Sequence, residues 1–104
     1  MFPSYFEGFG FGVLEMLAAA VPVFAYDVPG PGMMLPAENL LEPGDVSGMA
    51  DCVIGLLRNP DRLRRAREQA RQISRRFAWP DIARATVNAY SAAIAGRRPA
   101  QPVL

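Results

Sequence analysis

The feature that most restricts the fold is the stretch FEGFGFGVLE, residues 6–15, in which glycines alternate directly before an apolar helix pattern. The three glycines allow a tight turn and a close approach of the backbone to a ligand. Apolar residues then recur at helical spacing, at Val13, Leu14, Leu17 and Ala18. We therefore predict a helix that begins near residues 10–12 and ends near Ala20, because Pro22 prevents its continuation.

The segments around this turn predict an α/β fold. In order, we expect the end of a strand at residues 1–4, a buried strand at 22–26, a loop at 27–36, a very short strand at 39–43, and helices beginning after Asp45, at residues 59–61 and at Trp79. This order matches half of a doubly wound sheet of short parallel strands, a partial Rossmann-like arrangement. Because two or three strands are few for a parallel sheet, we expect residues 1–95 to be the C-terminal part of something longer, followed by a flexible tail at residues 96–104.

Each of the last three helices carries an apolar stripe that we expect to be buried. The stripe of the first is Val46, Met49, Ala50, Val53, Ile54 and Leu57. The stripe of the second is Leu63, Ala66, Ala70, Ile73 and Phe77. The stripe of the third is Ile82, Ala83, Val87, Tyr90 and Ile94.

Length and composition exclude several classes of protein. A chain of 104 residues is one small domain or part of a larger one. The single Cys52 excludes an internal disulfide framework. The longest apolar run, residues 17–26, is interrupted by Pro22 and is too short to span a bilayer. No signal-peptide pattern is visible at the N-terminus, so we expect a cytoplasmic protein.

The charges are divided sharply along the chain. Residues 1–57 contain seven acids and no Lys or Arg, whereas residues 58–104 contain eleven Arg and three acids, so the two parts carry formal charges of −7 and +8. Eight of the Arg lie between Arg58 and Arg76. They form either a solvated helix face or a surface for an anionic partner, such as the inner membrane or an acidic domain. Nucleic acid is not expected, because no aromatic residue is interleaved with these arginines.

The glycine-rich stretch is also a candidate binding site. A loop between a parallel strand and a helix N-terminus is a natural anion site, although it also serves as a plain structural turn. The spacing matches neither the dinucleotide nor the P-loop fingerprint. Glu7 and Glu15 bracket the glycines, and carboxylates suit the hydroxyls of sugars and ribose. The alternative for Glu7 is interaction with the helix dipole. Glu15 lies deeper in the helix among apolar neighbours, so we expect a buried carboxylate that needs a partner or a ligand.

Several motifs together resemble one enzyme family. PSYFEGFGFGVLEMLAAAVPVFAYDVPG resembles the signature of the retaining GT-B glycosyltransferases of family 4, in which Glu-Gly-Phe-Gly precedes a second Glu and an apolar helix. NLLEPGDVSGMADCVIGLLRNPDRLRRAREQA and RFAWPDIARATVNAY resemble the strand and helices that follow it in this family. The resemblance extends from Pro3 to about Ile94. It implies that residues 1–95 are the C-terminal part of a nucleotide-sugar-binding donor domain.

The resemblance also implies roles for individual residues. Glu7 would be the catalytic contact to hydroxyls of the donor sugar, beside the reacting carbon, and Glu15 would bind the ribose. The donor sugar and its diphosphate would be lined by the backbone of Gly8, Phe9, Gly10 and Phe11 and by the helix start at Gly12 and Val13. The reaction would transfer a sugar with retention from a nucleotide-diphosphate donor to a glycan or lipid-linked acceptor. Neither a metal nor another cofactor would be required.

The chain departs from the family pattern in three ways. Met33 stands where similar loops after Val-Pro-Gly-Pro often carry Glu. Ala20 stands where similar sequences have Gly, which is unfavourable by about 1 kcal/mol if the backbone is left-handed there. No basic residue precedes Arg58, whereas the family has an Arg and a Lys upstream that neutralise the diphosphate, and an N-terminal acceptor domain. We therefore expect the isolated chain to be inactive. The alternative function is a non-catalytic remnant or interaction module that completes its sheet with a partner chain or by self-association.

Overall fold

The computed structural model describes residues 1–96 and confirms a mixed α/β fold with two short parallel strands. The predicted flexible tail, apart from Gly96, lies outside the described residues. The elements are α1 (Phe11–Ala18), β1 (Ala25–Tyr26), α2 (Pro29–Met34), a 3₁₀ turn (Ala37–Asn39), β2 (Leu40–Leu41), α3 (Val46–Leu57), α4 (Pro60–Arg75) and α5 (Trp79–Ile94).

The sheet is parallel and very narrow. β1 pairs with β2 through Ala25 opposite Leu40 and Tyr26 opposite Leu41. Phe2 forms a parallel bridge to Ala25 and donates its backbone N–H to the carbonyl of Phe24 at 2.7 Å. The strand end predicted at residues 1–4 and the two predicted strands are therefore present. The two strands are shorter than predicted, because only two residues of each find a ladder partner.

The main core lies between α1, the sheet and α4. Val13 and Leu17 of α1 are almost completely buried, as the helical spacing predicted. Ala70 and Phe77 are buried against them, and Ile73 packs at the border, which confirms the stripe predicted for α4. Asn59 caps α4 by accepting a hydrogen bond from the Arg62 N–H at 3.0 Å. This packing fixes α1 and hence the glycine loop that precedes it.

The predicted loop at residues 27–36 is wrong in its middle, where α2 forms. Pro29 and Pro31 occupy the first and third helical positions. The N–H groups of a first helical turn have no intrahelical acceptor, so proline loses no hydrogen bond there. Gly32 is the first residue of α2 to donate back along the helix, to the carbonyl of Val28 at 2.9 Å. Proline and glycine are common both in loops and in the first turn of a helix. Their abundance at residues 27–36 therefore did not distinguish the two.

The stripe predicted for α3 is partly wrong. Asp45 caps the helix as expected, with its Oδ1 accepting from the Gly48 N–H at 2.8 Å. Met49 is buried, but Val46 and Leu57 at the two ends are exposed, and Leu56 is buried instead. The tight connection through Asn59 brings α4 back alongside α3. α4 therefore covers the side of α3 that contains Leu56.

The stripe predicted for α5 is not buried. Ile82 is half-buried against the core, whereas Ala83, Val87, Tyr90 and Ile94 are exposed. No other element among residues 1–96 covers this face. The pattern correctly identified an amphipathic helix, but burial requires a neighbour that the described part of the chain does not provide.

Ala20 has a left-handed backbone, with φ of 59°. The N–H of Val21 donates to the carbonyl of Met16, and the N–H of Ala20 donates to the carbonyl of Leu17, at 2.8 and 3.0 Å. These two bonds form a Schellman motif with Ala20 at the position that favours glycine. Ala20 therefore has the left-handed backbone that is unfavourable for alanine.

Candidate functional site

Three loops meet at the carboxyl edge of the sheet. Because the strands are parallel, the loops that follow Phe2, β1 and β2 all leave from this edge. The ring of Tyr5 packs edge-on against the ring of Tyr26, with centroids 5.3 Å apart. The hydroxyl of Tyr5 lies 3.4 Å from the position that a β carbon on Gly44 would occupy. The loops at the carboxyl edge are thus in contact with one another. Ligands of α/β folds bind at this edge of the sheet.

The glycine loop is folded tightly onto the start of α2. Gly10, with φ of 88°, is the residue that precedes α1. The N–H of Gly30 donates to the carbonyl of Glu7 at 3.1 Å. A β carbon on Gly30 would lie 2.6 Å from the carbonyl oxygen of Phe9, so only glycine fits there. The path of the backbone at residues 7–10 therefore depends on glycines in two separate segments.

The N-terminus of α1 presents free backbone donors. Leu14 is the first residue to donate back along the helix, to the carbonyl of Gly10 at 3.1 Å. The three N–H groups before it, at residues 11–13, have no intrahelical acceptor. No side chain caps this helix, and its first turn contains no acidic residue. These donors and the positive end of the helix dipole can bind an anion such as phosphate.

Glu7 lies against this loop with its carboxylate uncompensated. Its Cγ is 3.1 and 3.3 Å from where β carbons on Gly30 and Gly10 would lie, and the residue is half-buried. The ion pairs among residues 1–96 join Arg64 to Asp61 and Arg84 to Asp81, so Glu7 has no cation partner in this part of the chain. A carboxylate held in this way can accept hydrogen bonds from ligand hydroxyls.

Glu15 is exposed, so the prediction of a buried carboxylate is wrong. Its neighbours in sequence turn toward the core, while Glu15 itself lines an open groove with Ala18, Ser74 and Trp79. The groove is formed by α1, the end of α4 and the start of α5, and Glu7 is not part of it. The argument that burial requires a partner therefore does not apply to Glu15.

The other residues predicted to line the donor site differ in exposure. Gly8 is exposed, and a β carbon on Gly12 would lie 3.3 Å from the ring of Phe2. Val13 is fully buried, so neither its side chain nor its backbone N–H is exposed at the helix start. The side chains of Phe9 and Phe11 turn away into an aromatic cluster, with centroids 4.9 Å apart. That the backbone of these residues contacts a ligand stays a prediction.

Sequence analysis missed three contributors to the site. Gly30 holds the glycine loop, and Tyr5 joins it to the loop after β2. Trp79 stacks on Phe11 at 6.5 Å between centroids and an angle of 18°. A glycine four residues after a buried strand was the available signal for Gly30. No local pattern indicates that residues 5 and 79 reach this edge, because their contacts are distant in sequence.

The carboxyl edge is acidic and the arginines of the first half of α4 lie elsewhere. Glu7, Asp27, Glu42 and Asp45 belong to the loops at this edge, and residues 1–57 contain no Lys or Arg. Arg62 and Arg65 line a groove with Pro22 and Phe24, at the opposite edge where β1 begins. Within residues 1–96, the partial positive charge of the α1 N-terminus lies directly at the glycine loop.

Residues 1–96 contain neither a cluster of metal-binding side chains nor a membrane-spanning helix. No three His, Cys, Asp or Glu side chains in this range are grouped so that they could hold a metal ion. No helix in this range is both long and apolar enough to cross a membrane.

Comparisons with known proteins agree with the motif pattern. The family model described as "Glycosyl transferases group 1" matches residues 1–73. The chain is 35% identical to a glycogen synthase of Mycobacterium tuberculosis over 98% of this chain and 26% of that protein. It is 37% identical to a D-inositol 3-phosphate glycosyltransferase of Nocardia farcinica, over 88% of this chain and 21% of that protein. The chain thus spans about a quarter of the length of these relatives. No solved structure matches it significantly.

Proposed function

The chain belongs to the glycosyl transferases group 1 family. We propose that it carries the donor-binding part of a family 4 retaining transferase of GT-B fold. In the whole enzyme it would form the C-terminal part of the nucleotide-sugar-binding domain, beside an N-terminal acceptor domain. The relatives include a glycogen synthase and other glycosyltransferases, which supports sugar transfer as the reaction class.

The observation that carries the proposal is the uncapped N-terminus of α1 directly beside Glu7. The free N–H groups of Phe11 and Gly12 suit the diphosphate of a nucleotide sugar. The backbone of Gly8, Phe9 and Gly10 leads from these donors to Glu7. A phosphate bound at the helix start would therefore place the attached sugar along the loop that ends at this carboxylate.

The chemistry assigned to these residues is charge stabilisation and positioning. When the bond between the anomeric carbon and the diphosphate oxygen breaks, negative charge grows on the departing diphosphate. The N–H groups at the start of α1 stabilise that charge. Glu7 accepts hydrogen bonds from sugar hydroxyls beside the reacting carbon and so orients the ring. Glu15, from its exposed place on α1, accepts hydrogen bonds from the ribose. Neither a protein nucleophile nor a metal ion is assigned a role.

A second candidate function is a non-catalytic module that completes its sheet with another chain. The observation that favours it is the narrow sheet, in which each named strand has two residues and the outer edges are unpaired within residues 1–96. Such edges can add a strand from a partner. The arginines of α4 would then be available for an anionic partner, including the inner surface of the cytoplasmic membrane.

A nuclear magnetic resonance titration of the 104-residue chain separates the two candidates. Uridine, adenosine and guanosine diphosphates, free and joined to glucose or mannose, are added up to millimolar concentrations. The donor-site proposal predicts saturable shifts of the backbone amides at residues 8–14, larger than those caused by inorganic phosphate. Shifts restricted to the arginines of α4, or no shifts, would contradict the donor site and favour the module.

A further inference from the structure

α4 and the residues beside it carry an uncompensated positive charge. Residues 58–76 contain eight Arg and two acids, Asp61 and Glu68, and so have a formal charge of +6. All eight Arg are exposed. The ion pair in this segment joins Arg64 to Asp61. In the part of the chain that the structure describes, the other guanidinium groups of the segment have no carboxylate partner, so they are available to an anionic surface.

The arginines in the first three turns of α4 form two rows. Arg64, Arg67 and Arg71, which we call the arginine ridge, are spaced by three and four residues and line one groove. Arg62 and Arg65, the second row, line a different groove. At about 100° per residue, the centres of the two rows lie about 160° apart around the helix axis. A flat surface touches one side of a helix, so only one of the rows can meet it directly.

Exposed apolar side chains lie beside the arginine ridge. Leu57 and Val21, which are 64% and 45% exposed, line a groove together with Arg67. The apolar residues that line the groove of the second row are buried or half-buried. The ridge side of α4 therefore combines positive charge with exposed apolar surface, and the other side does not.

The chemistry of this side restricts what can cover it. Burying guanidinium groups against an uncharged surface is unfavourable, so the occupant has to be anionic. The phosphate backbone of a nucleic acid has no apolar layer for Leu57 and Val21, and an acidic protein needs a carboxylate fixed opposite each guanidinium. An anionic bilayer has mobile phosphate headgroups that can move to the guanidinium groups, with an apolar layer directly beneath them. Of these three occupants, the bilayer fits the charge and the apolar side chains together.

We propose that the arginine ridge, together with Leu57 and Val21, docks on an anionic lipid bilayer. The guanidinium groups bind lipid phosphates, and the two apolar side chains enter the boundary between the headgroups and the acyl chains. The loops at the carboxyl edge carry acids and no Lys or Arg, so the bilayer repels that edge and favours contact through α4. The inference rests on neither candidate function, because none of the docking residues belongs to the glycine loop.

Co-sedimentation with vesicles tests the nature of the occupant. The 104-residue chain is mixed with phosphatidylcholine vesicles, with or without phosphatidylglycerol, at about 0.15 M salt. Binding is expected only to the vesicles that contain phosphatidylglycerol, and it should weaken as the salt concentration is raised. Equal binding to both vesicles, or binding to neither, would overturn the proposal. Tighter binding to duplex DNA or to polyglutamate, at the same concentration of negative charge, would overturn it in favour of a nucleic acid or an acidic protein.

Two double variants test which side of α4 meets the bilayer. Arg67→Gln with Arg71→Gln removes two charges from the arginine ridge, and Arg62→Gln with Arg65→Gln removes two charges from the second row. The partition coefficient onto phosphatidylglycerol vesicles is expected to fall by about tenfold or more for the ridge variant and by less than about threefold for the control. Equal losses would show that net charge alone drives binding and would overturn the assignment to the ridge.

A pair of single variants tests the apolar part of the contact. Leu57→Ser removes an exposed apolar side chain beside the arginine ridge. Val46→Ser makes a similar change at the other end of α3, on a residue that is 70% exposed and lies outside the groove of Leu57 and Arg67. The partition coefficient is expected to fall by about threefold or more for Leu57→Ser and to stay unchanged for Val46→Ser. An unchanged partition coefficient for Leu57→Ser would contradict the insertion of this side chain into the bilayer.

Discussion

Gly30 and Phe9 are in backbone contact, and a β carbon on Gly30 would lie 2.6 Å from the carbonyl oxygen and 2.7 Å from the carbonyl carbon of Phe9. Real β carbons essentially never approach backbone atoms this closely, so the glycine loop or α2 must move if a side chain is added. The contact joins the loop before α1 to the segment after β1. It therefore fixes the backbone that carries Glu7.

Gly30→Ala is expected to lower the free energy of unfolding by about 1–3 kcal/mol, the usual range for overpacking. Urea denaturation followed by circular dichroism measures the change. Gly8→Ala is the matched control, since a β carbon on Gly8 would meet nothing within 4 Å and its φ is not positive. The control is expected to change stability by less than about 0.5 kcal/mol. Equal effects of the two substitutions would show that the contact of Gly30 with Phe9 is not a constraint.

Ala20→Gly is expected to stabilise the chain by about 0.5–1 kcal/mol. The left-handed backbone at Ala20 strains an alanine but not a glycine, and this gain exceeds the entropic cost of glycine. Ala19→Gly is the control, because Ala19 has φ of −77° and no such strain to relieve. Thermal denaturation should show a higher midpoint for Ala20→Gly and a lower one for Ala19→Gly. A lower midpoint for Ala20→Gly would mean that the lost methyl group matters more than the strain.

The isolated 104-residue chain is expected not to transfer sugar. No Lys or Arg lies within residues 1–57 to neutralise a diphosphate, and the α1 N-terminus contributes only about half a unit charge. The chain also spans about a quarter of the length of its relatives. Purified protein should show no product with common nucleotide sugars above a mock preparation. Turnover that co-purifies with the chain would contradict this expectation.

Apart from α2, the sequence was sufficient to predict the order of elements at the carboxyl edge. The alternation of glycines before residues 13–18, and the caps at Asp45 and Asn59, are local signals that determine local structure. These signals depend on backbone conformation and on hydrogen bonds between near neighbours. Such signals therefore predict local structure correctly without information on tertiary contacts.

Burial could not be predicted in the same way, because it depends on which element lies opposite. The stripes of α4 and α5 both repeat at helical spacing, yet Phe77 is buried and Ile94 is 88% exposed. Glu15 was expected to be buried from its apolar neighbours, but the helix turns it outward. The contact of Tyr5 with Tyr26 joins segments distant in the chain, and no local pattern encodes it.

The roles of the two carboxylates can be tested in a chimera. Residues 1–104 replace the matching quarter of the M. tuberculosis glycogen synthase, to which the chain is 35% identical. Glu15→Gln is expected to raise KM for the donor with little change in kcat, because a ribose contact is made equally in the ground and transition states. Glu42→Gln, an exposed acid at the same edge of the sheet, is the control and should change neither constant.

The most direct test of the donor-site assignment is the kcat of Glu7→Gln in this chimera, measured together with donor binding by titration. Glu7 is assigned to the sugar beside the carbon where charge develops, so its loss should be felt mainly in the transition state. We predict that kcat falls by about ten- to a thousand-fold, while donor affinity and the circular dichroism spectrum stay close to those of the unsubstituted chimera. A folded Glu7→Gln chimera with unchanged kcat and KM would contradict the assignment and make the carboxylate at the glycine loop a structural group.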